Sequence, residues 1–206
     1  MRKVLAFQFM TLDGIAEFPE YENPPPKAPD EIESMWTPHM SGIDTLFLGR
    51  VTYEKWAAFW PRQQHDPTAN EWMREYSKFC DRVEKIVFSK SFAVADWPRS
   101  RIVRGGIVAE VARLREQPGG NLAIGGGPRL LQSFLALDLV DDLYLEVFPS
   151  IVGHGKPLFH LELDPNHDPD EIPVGAADRH DFRMVEARAQ SDGNLHLHYE
   201  RASPRT

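Results

Sequence analysis

The sequence predicts an α/β protein with a mainly parallel central sheet flanked by helices and antiparallel strands near the C-terminus. Three observations carry this. Short apolar runs alternate with stretches of helical period through the first two thirds of the chain. Two of those runs end in glycine and open at once onto a helix, at Gly49 and at Gly125-Gly-Gly127. After residue 180 the period changes from helical to two, on both sides of Ser191-Asp-Gly193, as in paired strands joined by a turn.

The elements follow in order. Val-Leu-Ala-Phe after Met1-Arg-Lys has the look of a leader, but Gln8 interrupts the apolar run, which stops before Asp13 with no small-residue cleavage site. It reads as a buried first strand ending in Thr11-Leu-Asp-Gly14. Glu17 to Pro29, with prolines at 19, 24, 25, 26 and 29, excludes a helix interior and suits a lid or loop beside a site. Asp30-Glu-Ile-Glu33 reads as a capping box opening a helix that runs to about Met40. Asp44–Leu48 is a buried strand, followed by a helix from Val51 to about Trp60. A further helix spans Asn70 to about Arg82, with Trp72, Met73, Tyr76 and Phe79 on one face. Lys85–Phe88 is a strand. The helix Ile107–Glu116 buries Ile107, Val108, Val111 and Leu114, and Gly119-Gly120 end the connection after it. A strand through Ile124 delivers the three glycines to an amphipathic helix. Asp142–Phe148 is a strand followed by a bend through Gly153 and Gly155, and His160–Asp181 is an acidic surface loop. Phe182–Ala189 and Leu195–Arg201 alternate like paired strands.

A chain of 206 residues and 23.5 kDa predicts one domain with a substantial core. Its net charge of -8 argues against nucleic-acid and anionic-membrane surfaces, which need a basic patch. No segment reaches the roughly 18 apolar residues of a membrane span, so the expected location is cytoplasmic. The single Cys80 excludes an intramolecular disulfide and a CxxC zinc site. It also excludes the zinc deaminase signature, which needs two cysteines.

Gly125-Gly-Gly127 carries most of the functional information. Residues without a Cβ let a ligand approach the main chain. The first N–H groups of the next helix lack intrahelical partners and sit at the positive end of its dipole. The pair suits an anion, most simply the phosphates of a nucleotide; the alternative is a tight strand-to-helix turn that binds nothing. Gly49-Arg50 with Thr52 repeats the arrangement, and Ser89-Lys-Ser91 ends another strand with hydroxyls and an ammonium. Open α/β sheets bind ligands at the carboxyl ends of their strands. Arg50, Lys90, Arg104 and Arg129 are the candidate cations. Asp164-Pro-Asn-His-Asp168 has the outline of a calcium loop, but Pro169 and Gly175 stand where its turn glycine and bidentate glutamate belong. His196 and His198 share a strand face. That allows metal chelation, but no third ligand lies nearby in sequence, and a solvent- or dimer-facing strand is the commoner explanation; no metal is expected.

Taken together, Thr11-Leu-Asp-Gly14, Leu48-Gly-Arg-Val-Thr-Tyr-Glu54, Val87-Phe-Ser-Lys90, Ile124-Gly-Gly-Gly127 and Leu143–Gly153 with Gly155-Lys-Pro-Leu-Phe159 resemble the dihydrofolate reductase superfamily. The likeness is greatest to free-standing relatives of the C-terminal reductase domain of the bifunctional riboflavin-biosynthesis deaminase/reductase. It implies the dihydrofolate reductase-like fold and hydride transfer from NADPH to a C=N or C=O bond of a small heterocycle, pteridine- or pyrimidine-like. Gly49, Arg50 and Thr52 match positions around the pyrophosphate and 2′-phosphate. Ser89 and Lys90 match contacts to the 2′-phosphate, and Gly125, Gly126 and Gly127 match the loop under the pyrophosphate and nicotinamide. Arg129 stands one step beyond the arginine of many relatives. The cations at 50 and 90 favour NADPH over NADH, which lacks the extra phosphate. Ile124 stands where riboflavin-pathway reductases carry a glutamate.

For the proton, Asp13 begins the turn toward the cofactor-covering loop, while Glu146 occupies the place of a substrate-facing threonine. Asp30 and Glu33 fall near the pterin-binding carboxylate of dihydrofolate reductases. Glu146 either points inward, desolvated and suited to proton donation, or faces solvent in a cross-sheet ion pair. A non-catalytic ligand-binding protein that retains the fold is the alternative function. Pairing among relatives, with His196, His198 and Tyr199 on the last strand, predicts a homodimer.

Overall fold

The computed structural model describes residues 1–17, 29–159, 180–191 and 193–202, with 29–34 as backbone alone. Most of the proline-rich segment and of the acidic loop, including the calcium-loop outline, lies outside the described residues. In chain order the elements are β1 (Val4–Thr11), β2 (Ile15–Glu17), α1 (Pro29–Met40), β3 (Ile43–Gly49), α2 (Arg50–Gln63), α3 (Glu71–Arg82), β4 (Glu84–Phe88), β5 (Ser100–Val103), α4 (Ile107–Arg115), β6 (Asn121–Gly125), α5 (Pro128–Ala136), β7 (Asp142–Phe148), β8 (Lys156–Pro157), β9 (Phe182–Ala189) and β10 (Leu195–Arg201). Eight strands form one sheet in the order β5-β4-β3-β6-β1-β7-β10-β9, and β2 pairs separately with β8. The six strands from β5 to β7 run parallel, and β10 and β9 add antiparallel. This is the predicted architecture.

Strand alternation sorts the core onto two faces. Leu5, Phe7, Leu46, Leu48, Val87, Ala123 and Tyr144 face α1, α2 and α3, whose Trp36, Tyr53, Trp60, Trp72, Tyr76 and Phe79 fill that side. Val4, Ala6, Phe47, Ile86, Leu122, Ile124, Leu143 and Leu145 face α4 and α5. Both faces of the central strands are covered, which is why they read as nearly continuous apolar runs.

The helix limits have local causes. The Asn70 side chain accepts from the Met73 N–H at 2.8 Å and so caps α3. Pro128 opens α5 at the position where a missing N–H costs nothing. α2 runs past the expected Trp60, because Pro61 removes only its own N–H and buried Gln63 donates to the Phe59 carbonyl at 3.4 Å. Val108, expected in the core, is half exposed: the buried stripe of α4 follows Val111 and Leu114, with Ile107 beside it.

At the N-terminal edge of the sheet the buried Arg2 guanidinium pairs with Asp44 and donates to the Gly120 carbonyl at 2.6 Å and to Thr45 Oγ1 at 3.0 Å. A Cβ on Gly120 would meet the Gly42 carbonyl oxygen at 2.5 Å. These contacts fix the sheet edge opposite the glycine loops.

Lys85 is fully buried on β4, with Nζ donating to the carbonyls of Cys80 (2.6 Å) and Val83 (3.0 Å) and lying 4.6 Å from the Trp97 ring centroid. Burial lowers its pKa from 10.5 to about 8, partly opposed by Cys80 and Asp81. Between those values the unfolded chain holds a proton that the folded chain has lost, so stability rises with pH through the window. The two carbonyls favour the charged form, so the expected gain relative to Lys85→Met is about 1–2 kcal/mol. Urea unfolding of both proteins below, within and above this window measures it; a constant difference between them would count against it.

Candidate active site

Because the strands from β5 to β7 are parallel, their carboxyl ends deliver six connections to one edge of the sheet. The β3–α2 and β6–α5 connections meet there. Gly126 and Gly127 have φ of 79° and 77°, a region costly to residues with a Cβ. A Cβ on Gly126 would stand 3.0 Å from Thr52 Cγ2, and one on Gly127 3.2 Å from Thr52 Oγ1. One on Gly125 would meet Leu48 at 3.0 Å and Trp56 at 3.1 Å. Thr52 therefore lies against the glycine loop, and the two junctions form one cradle. Gly49 caps α2 in an extended conformation, and neither α2 nor α5 has a side-chain N-cap.

The cations lie along the same edge. Arg50, the first residue of α2, is half exposed and pairs with Glu54 at 2.8 Å. On the neighbouring strand end, Ser89 Oγ accepts from the Phe92 N–H at 3.1 Å. Arg104, following β5, donates to the Lys90 carbonyl at 2.7 Å and ties the β4 and β5 ends together. Arg129 is exposed in the first turn of α5, where its carbonyl accepts from Ser133 Oγ at 3.0 Å.

The two acids differ in environment. Asp13 is an exposed loop tie: it accepts from Thr11 Oγ1 at 2.5 Å and from the Gly153 N–H at 2.7 Å, joining the β1–β2 turn to the segment after β7. The Thr11 hydroxyl, then the Gly153 N–H, hold its carboxyl below the usual range. Such a carboxylate holds no proton to give near neutral pH.

Glu146 has no exposed surface and lies opposite Phe9 of β1. Its residue alternation with Tyr144 puts it on the face of Phe9, Trp56 and Tyr144, so of its two possible orientations the chain adopts the inward one. Phe7 pairs with both Gly125 and Tyr144, which sets Glu146 one side-chain repeat beyond Gly125, the first glycine of the loop. The intervening β1 separates them by roughly 10 Å, two strand spacings. Phe9 and Phe148, both half-buried, stack at 6.0 Å beside it.

The polar surroundings of Glu146 are what sequence reasoning missed. Gln190 Nε2 donates to Oε1, and His196 Nδ1 lies 3.3 Å from Oε2. One repeat away, His198 Nε2 meets Asp142 at 2.7 Å and its ring stacks on Tyr144 at 4.2 Å. Phe7 and Trp36 continue the stack, and His39 of α1 packs on Tyr144 at 4.5 Å. Burial, reinforced by His198 and His196, pushes the His39 imidazole down. The expectation of solvent- or dimer-facing histidines is corrected: His196 is 5% exposed, and both rings are turned onto acids of β7. The signal lay in the matching parity of Asp142, Tyr144 and Glu146 with His196 and His198 on paired strands. Among the described residues no cluster suited to a metal ion occurs, and no helix is long and apolar enough to cross a membrane. The side chains of Asp30 and Glu33 lie outside the described residues.

Residues 2–180 match the family model of the RibD C-terminal domain. The chain belongs to that family. The uncharacterised protein YyaP of Bacillus subtilis is 28% identical over 165 residues, covering 80% of this chain and 77% of YyaP. A Shewanella sp. PV-4 protein whose role in riboflavin biosynthesis is itself only proposed superposes with a TM-score of 0.70 at 20% identity, covering 98% of this chain and 99% of its own. Dihydrofolate reductase from Enterococcus faecalis, solved with NADP(H), gives 0.57 at 15% identity over 98% and 97%. Family and fold are those of reductases, and the fold is the dihydrofolate reductase-like one the motifs implied.

Proposed function

We propose that the protein is an NADPH-dependent reductase of a small pteridine- or pyrimidine-like heterocycle. The observation that carries this reading is the shared cradle of Gly125–Gly127 and Thr52, with a buried carboxylate two strands away on the same sheet face. A Cβ at any of the three glycines would crowd Leu48, Trp56 or Thr52, so glycine here lets the β6–α5 loop pack against the β3–α2 junction and bring the first turns of both helices to one place. Gly49, Thr52 and the first turns of α2 and α5 hold the pyrophosphate, with Arg129 at its margin. Arg50, Ser89 and Lys90 hold the 2′-phosphate. When bound, the dihydronicotinamide supplies the hydride. Phe9, Phe148 and Trp56 pack against the heterocycle and exclude water, and Glu146 delivers the proton to its nitrogen or oxygen. Asp13, named beside Glu146 as a catalytic candidate, instead holds the turn that borders the site.

Titration with NADPH and NADH, followed by NADPH consumption with a panel of pteridines and pyrimidines, tests this. Micromolar NADPH binding, much weaker NADH binding and turnover of one of these rings are expected. NADPH binding without turnover of any ring would favour the ligand-binding alternative, and binding of neither cofactor would overturn both.

We also propose a homodimer. The buried positions of His196 and His198 move the candidate surface from β10 outward to β9, the sheet edge, where Met184 is 51% and Val185 45% exposed, with Leu195 of β10 at 40%. Leu195 lies opposite Ala189, toward the other end of β9 from Met184 and Val185, and apolar side chains exposed along an edge strand suit a second copy of the same surface. Light scattering should give twice the 23.5 kDa chain mass at micromolar concentration; the monomer mass would overturn the dimer.

A further inference from the structure

Glu146 has no exposed surface, so a proton that it gives to a substrate ring has to be replaced through the protein. Among the described residues two side chains reach its carboxylate, Gln190 at Oε1 and His196 at Oε2, the latter with Nδ1 at 3.3 Å. A carboxamide neither gains nor loses a proton near neutral pH, whereas an imidazole does both. The position of His196 is fixed by the sheet. Its backbone in β10 pairs with Glu146 of β7 on one side and with Arg188 of β9 on the other. It is also the member of the pair that touches solvent, at 5% exposed.

The other groups around the imidazole leave this exchange to the pair. Tyr144 lies beside it on β7 with ring centroids 6.4 Å apart, and burial pushes the phenol up, so it keeps its proton. His198, next on the same face of β10, is engaged by Asp142, which Lys3 also reaches at 2.9 Å. His39 of α1 is pushed down by burial, then by His198 and His196, and stays uncharged near neutral pH. On β9, Arg188 and Glu186 pair with each other at 3.5 Å.

We propose that His196 supplies the proton that Glu146 delivers: imidazole and carboxylate hold one proton between them, and each proton delivered is replaced through His196. The inference rests on the reading of Glu146 as the acid that faces the substrate ring. In the step, the Nδ1–H bond of the imidazolium breaks as an O–H bond forms on Glu146. That O–H bond breaks in turn as the proton joins the ring nitrogen or oxygen left anionic by hydride addition. A carboxylate and a neutral imidazole remain, and a proton from solvent restores the imidazolium. The pair, rather than the carboxyl alone, is then the acid.

The test follows NADPH consumption by the full chain with the first ring of the pteridine and pyrimidine panel that the wild type turns over, starting from 7,8-dihydropterin. Glu146→Gln, His196→Gln and His196→Ala are compared with wild type, each checked for folding by circular dichroism. The side chain introduced in His196→Gln keeps an N–H directed at Oε2, so it preserves a merely structural contact but has no proton to supply. In that variant kcat should fall by about tenfold or more with KM close to wild type, as a general acid cut off from its proton source requires. Imidazole added to the buffer should restore turnover in His196→Ala and not in His196→Gln, where the side chain fills the space. Wild-type kcat in His196→Gln overturns the inference while leaving Glu146 as the acid, as does a defect in His196→Ala that imidazole does not reduce. Wild-type kcat in Glu146→Gln, or no turnover of any ring by the wild type, removes the reading of Glu146 and this inference with it.

Discussion

Glu146→Gln is expected to lower turnover of the heterocycle by roughly 100-fold or more, the usual scale for general acid catalysis, while leaving NADPH affinity intact. Hydride addition to a ring leaves negative charge on a nitrogen or oxygen, which a positioned acid quenches. Glu146 is suited to this because it sits on β7, paired to β1 on one side and β10 on the other, so its backbone is fixed. The substitution is mild for the fold. The amide oxygen of the replacement side chain still accepts from Gln190, and its NH2 group donates to His196 once the imidazole adopts the other tautomer. Loss of the proton donor is then the main change. Steady-state NADPH consumption with the substrate found in the panel, beside a cofactor titration, measures the effect. Turnover unaffected by the substitution would remove Glu146 from the mechanism, and parallel loss of NADPH binding would assign it to the cradle instead.

The contrast between Glu146 and its surroundings shows where sequence reasoning reached and where it stopped. Long strands and helices were legible because each has its own period and punctuation: Asp142–Phe148 and Leu195–Arg201 fall where predicted, and α3 starts after its capping Asn70. The short β2, β5 and β8 were not, since a strand such as Ser-Arg-Ile-Val at 100–103 owes its conformation to lying against β4. The glycine cradle was legible because glycine is itself the signal for close approach and positive φ. That Thr52 rests on Gly126 and Gly127 was not, because it depends on β3 and β6 being neighbours in the sheet. The same holds for Gln190 and His196: their role follows from the antiparallel register of β7, β10 and β9, which no local pattern encodes. The surroundings of Asp13 were illegible for a related reason. Position in a turn was visible, but the Val152 and Gly153 N–H groups that engage its carboxylate arrive from across the chain.

Arg50→Ala is expected to weaken NADPH binding by about 1.5–3 kcal/mol, the range for hydrogen bonds to charged groups, and NADH binding much less. Arg50 opens α2 at the end of β3, and the Ser89-Lys90 end of β4 adjoins it in the sheet, so both groups reach the same side of the glycine cradle. In the free protein Arg50 is paired with Glu54, half exposed at both ends, and that pair contributes little to stability. Exchanging Glu54 for a phosphate dianion gains bidentate geometry and charge, whereas NADH offers a hydroxyl that cannot compete with the Glu54 carboxylate. On the proposed reading of Arg50, Glu54 competes with the 2′-phosphate for the guanidinium. Glu54→Gln is accordingly expected to raise affinity for both cofactors slightly and to narrow the gap between them. Equal losses for NADPH and NADH in Arg50→Ala would place the guanidinium at the pyrophosphate, leaving the 2′-phosphate to Lys90 and Ser89.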